Sequence, residues 1–185
     1  MKRRSEPLFR GEKIREIRKQ KGLTLQELSV QTQVSISLLS QIERGKVDPA
    51  VSTFWKICSV LQIPFNEFFD GDHEETIVVR KQLRRVVELS NSNVKYHDLT
   101  PQNKSGNLDF ILVEIQPGET TDRELISHSG EECGFVLQGE LKVFLGEREF
   151  DLFEGDSISF SSMTPHRYMN VGKAVSISIW VMSSR

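Results

Sequence analysis

Two short segments in the second half of the chain carry the side chains best suited to hold a metal ion or a polar ligand. In SHSGEECGFVLQG, His128 and Glu132 fall on one face of an extended strand together with Gly130, Gly134 and Val136. Two glycines there leave space beside an imidazole and a carboxylate, as a pocket requires. In GDSISFSSMTPHRYMN, His166, Tyr168 and Asn170 share a face in the same way. A different chemistry is offered near residue 40. If a helix starts after Ser35, Leu39 and Ile42 point inward, and Ile36, Ser37, Ser40, Gln41 and Arg44 form a small, polar outer face sized for a DNA major groove.

The elements that must position these groups follow from periodicity. From Gly11 to Phe69 apolar residues recur every three or four positions, which predicts five short helices. The first carries Ile14 and Ile17 and stops at Gly22. Thr24 with Glu27 three residues on forms a capping box for the second, which carries Leu25 and Leu28. Ser35 caps the third, Gly45 ends it, and Pro49 precedes a fourth with Phe54, Ile57 and Leu61. Pro64 opens a fifth ahead of Phe65, Phe68 and Phe69. Periodicity then stops in an acidic, turn-rich stretch over 70–76, where His73 is an isolated, exposed linker histidine.

Beyond it the period shifts towards two. Strands are predicted at Ile77 to Val79, Phe110 to Ile115, Gly134 to Leu137, Leu141 to Leu145, Ser157 to Phe160 and Val175 to Val181, parted by glycine turns. Many short strands of this kind make an antiparallel barrel or sandwich. The organisation is thus a basic arm over 1–10, a helical domain over 11–69, a linker over 70–76 and a β domain over 77–185. Trp55 and Trp180 read as core or interface residues, Phe110 and Phe160 as core positions or barrel lining, and Cys133 as a packed thiol facing away from Glu132.

Charge separates the two parts. Residues 1–70 hold 12 Lys and Arg against 8 Asp and Glu, whereas residues 71–185 hold 12 against 18, so only the first part suits a polyanion. Cys58 and Cys133 form no CxxC pair, which excludes a cysteine zinc site or a disulfide framework and points to a reducing cytoplasm. No signal-peptide pattern and no apolar run near the roughly 20 residues of a membrane helix is present, which argues against a membrane role.

The helical domain resembles the phage-repressor (Cro/C1, XRE) type of helix-turn-helix domain. The resemblance is carried by Leu28 and Ser29, the run from Ser37 through Gln41, Ile42, Glu43 and Gly45 to Lys46, then Pro49 and the helix from Phe54 to Leu61. It implies a λ-repressor-like fold that binds a double-stranded operator as a homodimer. Ser35, Ile36, Ser37, Ser40 and Gln41 would lie towards base edges, and Leu25, Gln26, Arg44 and Lys46 near the backbone. Side-chain chemistry agrees, since Gln pairs with adenine, Ile36 suits a thymine methyl, and helix starts and cations meet phosphates. Gln33 departs from the family, which often has Gly in this turn.

The β domain resembles the cupin superfamily, through the spacing of His128, Glu132 and Gly139 and through Gly155, His166 and Asn170. That resemblance implies a jelly-roll barrel with His166 brought opposite His128 and Glu132. Ile126 stands where the fuller pattern has another histidine, and Ser161 and Met163 replace its usual Pro and Gly. The three remaining groups suit one divalent ion (Zn, Fe, Ni or Mn) with open positions, or a metal-free effector pocket that includes Tyr168.

The combination of domains resembles cupin-containing regulators, among them repressors of polyamine-utilisation genes, and implies a non-catalytic regulator, of repressor type, controlled by a small molecule. Glu131, Glu132 and Glu140 would tolerate an amine. Two other readings stand beside it: a metal enzyme similar to hydroxypropylphosphonate epoxidase, for which Arg123 and Lys142 are the nearest phosphonate anchors in sequence, and a DNA-binding protein whose barrel only dimerises.

Overall fold

The computed structural model describes residues 11–61, 63, 77–88, 93–101 and 108–183. The basic arm over 1–10, the fifth helix expected after Pro64 and the linker over 70–76 lie outside the described residues. Among those described, the first domain has four helices, not five: α1 (Gly11–Gln20), α2 (Leu25–Thr32), α3 (Ile36–Glu43) and α4 (Val51–Leu61).

Local signals place the helix starts. Thr24 accepts a hydrogen bond from the Glu27 amide at 3.1 Å while the Glu27 carboxylate accepts from the Thr24 amide at 2.7 Å, so α2 begins in the expected capping box. Ser35 caps α3 by accepting from the Leu38 amide at 3.2 Å. Between them Gln33, at the turn position where the family often has Gly, takes the left-handed conformation, φ 58°. Ile14, Leu28, Val34, Leu39, Ile42, Phe54, Ile57 and Leu61 close the core.

One charge counted towards a polyanion is used internally. Arg18 donates to Glu43 through Nε at 2.6 Å and Nη2 at 2.9 Å, and to the Leu23 carbonyl at 2.8 Å, with both side chains buried. This fork pins α1 to the end of α3. Glu43→Gln leaves a buried guanidinium without its counter-charge and is expected to destabilise the domain by about 3–5 kcal/mol, read by chemical denaturation.

Among the described residues the second domain has nine strands: β1 (Val86–Glu88), β2 (Val94–Asp98), β3 (Leu108–Ile115), β4 (Glu131–Gln138), β5 (Glu140–Leu145), β6 (Arg148–Phe153), β7 (Ser157–Ser161), β8 (His166–Met169) and β9 (Ser176–Ser183). They form an antiparallel six-stranded sheet in the order β1-β2-β3-β9-β4-β7 and a three-stranded sheet in the order β6-β5-β8. The sheets face one another: Tyr168 on β8 stacks on Trp180 on β9 with ring centroids 4.0 Å apart. Ile77 to Val79 is not a strand. Ile77 and Val78 are exposed, so this short apolar run is not buried against a sheet face as a core strand would be.

The two domains touch. The Ser52 amide in the first turn of α4 donates to Asp122 Oδ2 at 2.8 Å, and the Trp55 ring lies over the His128 ring at 5.4 Å.

Candidate functional site

His128 precedes β4, held by its amide to the Ser162 carbonyl at 3.0 Å; Glu132 is the second residue of β4; His166 begins β8, bridged to Ile126. The fold brings all three together. His128 Nε2 is 2.8 Å and His166 Nε2 is 3.0 Å from the same oxygen, Glu132 Oε1. Glu132 and His166 are each 1% exposed, so their mutual arrangement is not shared with bulk water.

The hydrogen positions decide what this trio is. His128 Nδ1 faces the Ser129 carbonyl at 3.1 Å and His166 Nδ1 faces the Thr164 carbonyl at 2.8 Å, so each ring's first proton belongs on Nδ1. Neutral rings then turn Nε2 lone pairs towards Oε1, and three lone pairs converge with no donor among them. The conflict is relieved by protonating an imidazole or by placing a cation at the centre. Donors held at right angles about 2.1 Å from one ion stand about 3 Å apart, close to the two distances to Glu132 Oε1, and the three ligand atoms all lie within 4.8 Å of one another. Tyr168 completes the set by donating its hydroxyl to Glu132 Oε2. Burial and the Glu132 charge push the tyrosine pKa well up, so it stays a donor, orienting the carboxylate and not free for an effector.

Electrostatics agree with a trio that needs positive charge. Burial alone lowers the His128 pKa, but the hydrogen bond and charge of Glu132 outweigh it and hold the pKa above the ordinary 6.5. Burial alone raises Glu132, yet the two imidazoles hold it well below the usual carboxylate range. In the metal-free chain the raised histidine therefore contributes stability that is complete below pH 6.5 and lost as pH rises through its folded value. The depressed carboxylate contributes above pH 4.5 and loses its share below. Metal affinity has the opposite slope, rising with pH as the imidazoles lose protons. Melting curves at pH 6 and pH 8 should therefore show the metal-free chain less stable at pH 8 and the gain from added zinc larger there.

Tyr96, Ile111, Val113, Ile126, Trp180 and Met182 complete the barrel lining, and Trp55 from α4 contributes a wall. The cavity is small, about 30 Å³, enough for an ion with one or two waters. Gly130 and Gly134 do not supply its space: a Cβ at Gly134 would meet the Trp180 ring at 2.5 Å, and one at Gly130 the Ser183 carbonyl at 1.6 Å. They let β9 and its indole approach β4. Asn170 supports the fold, donating to the Ile115 and Ala174 carbonyls. Glu131 and Glu140 are exposed and outside the cavity, so amine tolerance there would rest on Glu132. Cys133 does face away from Glu132, but it is exposed, not packed. Phe160 packs against His166 with ring centroids 5.1 Å apart but is not among the residues that line the cavity.

The expected phosphonate anchors are elsewhere. Lys142 pairs with Glu149 at 2.9 Å and Asp151 at 3.1 Å, and Arg123 is exposed. No Lys or Arg is among the described residues that line the cavity.

On the helical domain, Ile36, Ser37, Ser40, Gln41 and Arg44 share the outer face of α3. Ile36 is 45% exposed. Ser35 uses its oxygen as the α3 cap but keeps a hydroxyl proton to donate. Gln41 Nε2 reaches Ser37 at 3.4 Å, and Arg44 Nε donates to the Ser40 carbonyl at 2.9 Å. Gln26 and Lys46 are exposed, whereas Leu25 is half-buried at the start of α2 and offers its backbone.

Two family models match: helix-turn-helix over residues 14–68 and cupin domain over residues 111–182. Over 173 residues the chain is 31% identical to the HTH-type transcriptional regulator PuuR of Escherichia coli (strain K12), covering 92% of each. It is also similar to the crystal structure of an HTH_3 family transcriptional regulator from Vibrio cholerae, with a TM-score of 0.78 and 29% identity over 95% of this chain and 94% of that one. Hydroxypropylphosphonic acid epoxidase from S. wedmorenis aligns with a TM-score of 0.51 at 19% identity over 93% of this chain and 95% of that one, a likeness of fold alone.

Proposed function

Because the chain belongs to the family of helix-turn-helix transcriptional regulators with a cupin domain, we propose that it is a homodimeric repressor whose grip on its operator is set by what occupies the His128, Glu132 and His166 cavity. DNA binding is the family's activity. The control is carried by one observation: two imidazole lone pairs and a carboxylate oxygen converge in a buried site with no donor among them.

A divalent ion fits that site, and the mixed nitrogen and oxygen donors suit Zn, Fe, Ni or Mn. When bound, such an ion offers open coordination positions to an oxygen or nitrogen donor of a small molecule. The chain does the rest. Ser129 and Thr164 carbonyls fix the two rings, Tyr168 orients Glu132, and largely apolar side chains line the cavity around them. On the DNA side, Ser35, Ile36, Ser37, Ser40 and Gln41 read base edges while Leu25, Gln26, Arg44 and Lys46 hold the backbone. Two such domains require an inverted repeat with half-sites about 10 base pairs apart. Native mass spectrometry of the chain purified from its source tests the reading: a dimer with one divalent ion per chain supports it, and a monomer without bound metal or metabolite contradicts it.

A further inference from the structure

Helix α4 belongs to the DNA-binding domain, yet its first turns are completed by the barrel. Ala50, just before α4, has no side chain able to cap it, and the free Ser52 amide instead donates to the Asp122 carboxylate at 2.8 Å. Asp122 is held ready for this, since its Oδ1 accepts from the Glu124 amide at 3.2 Å and its carbonyl from the Thr120 hydroxyl at 2.9 Å. An aspartate at a helix start also meets the positive end of the helix dipole. Three residues on, on the same face of α4, Trp55 lies nearly parallel to His128, with ring centroids 5.4 Å apart and planes 14° apart. His128 in turn reaches Glu132. The same indole therefore packs on a ligating residue and walls the small cavity of about 30 Å³.

We propose that Trp55 is the gate that couples the cavity to the DNA-binding domain: an organic occupant larger than a hydrated ion displaces Trp55 from His128 and releases α4 from the barrel. The inference rests on reading the cavity as the sensing site. A metal ion alone fits beneath the indole and leaves the latch closed; a chelating molecule on that ion opens it. α4 packs within the helical core through Phe54, Ile57 and Leu61, so α2 and α3 move with it as one body. Reading helices held at a fixed separation lose less freedom on DNA than helices free to reorient, so release weakens operator binding.

Zinc alone, and zinc with acetohydroxamate as a small bidentate oxygen chelator, probe the two states. The chain has two tryptophans, and the difference between wild type and Trp55→Phe isolates the emission of Trp55. Zinc alone should leave that emission unchanged; adding acetohydroxamate should move it to longer wavelength as the indole meets water. On a duplex recovered by selection from random-sequence DNA, acetohydroxamate should weaken wild-type binding about fivefold or more, within the usual range of coupling between sites. Trp55→Ala should still bind zinc and acetohydroxamate but lose that response, and Asp122→Ala, which removes the other half of the latch, should lose it too. Uptake of acetohydroxamate with unchanged Trp55 emission, or a Trp55→Ala chain that responds as wild type does, overturns the gate while leaving the sensing site standing. Failure of zinc to bind at all overturns both.

Discussion

Glu132→Ala is expected to abolish metal binding and, with it, any effect of the cavity on DNA. Removing the shared oxygen leaves two imidazoles with nothing between them, so the loss should exceed the roughly 100-fold that outer partners of a metal site contribute. Tyr168→Phe supplies the graded comparison. It leaves the three donors in place but frees Glu132 Oε2 of its donor, and should weaken metal affinity by roughly 10–100-fold. Isothermal titration with zinc ranks the variants, and a Tyr168→Phe chain as impaired as Glu132→Ala would mean that the tyrosine holds the fold and not the ligand. The alanine variant should fold, because it also removes a buried carboxylate that its surroundings stabilise only when cationic.

The second large effect lies on α3. Gln41→Ala should lower discrimination at one base of each half-site by about 1–3 kcal/mol while leaving affinity for non-specific duplex nearly unchanged. Arg44→Ala or Lys46→Ala should instead weaken binding to all sequences alike and reduce the salt slope by about 1. Selection from a random-sequence library, repeated at two salt concentrations, separates the classes. A Gln41 variant with the full wild-type preference would place base reading elsewhere.

The outer face of α3 was legible because its determinants are local. Thr24, Glu27 and Ser35 cap helices within a few residues of themselves, and burial of Leu39 and Ile42 follows from a 3.6-residue period. Arg18 was misread because nothing local announces that Glu43 lies opposite it. In the β domain, β3, β4, β5, β7 and β9 are apolar enough to show, whereas β2 and β6 alternate with His, Lys, Asp and Arg and hide within polar sequence. His128 and Glu132 meet as expected, although His128 precedes the strand and reaches the carboxylate from outside it. The glycines beside them had only their freedom to show; what fills the space is Trp180, 46 residues after Gly134, and no pattern within one strand encodes that. Trp55 was least visible of all, an apolar residue in an apolar helix whose partner is in the other domain.

If the cavity governs the grip on DNA, the affinity of the full-length chain for its selected duplex must follow what the cavity holds. Fluorescence anisotropy should give wild type an affinity about fivefold or more weaker with zinc and acetohydroxamate together than with zinc alone, and Glu132→Ala the same affinity in both. A folded Glu132→Ala chain that keeps the full difference, or a wild-type chain that shows none, would contradict the account.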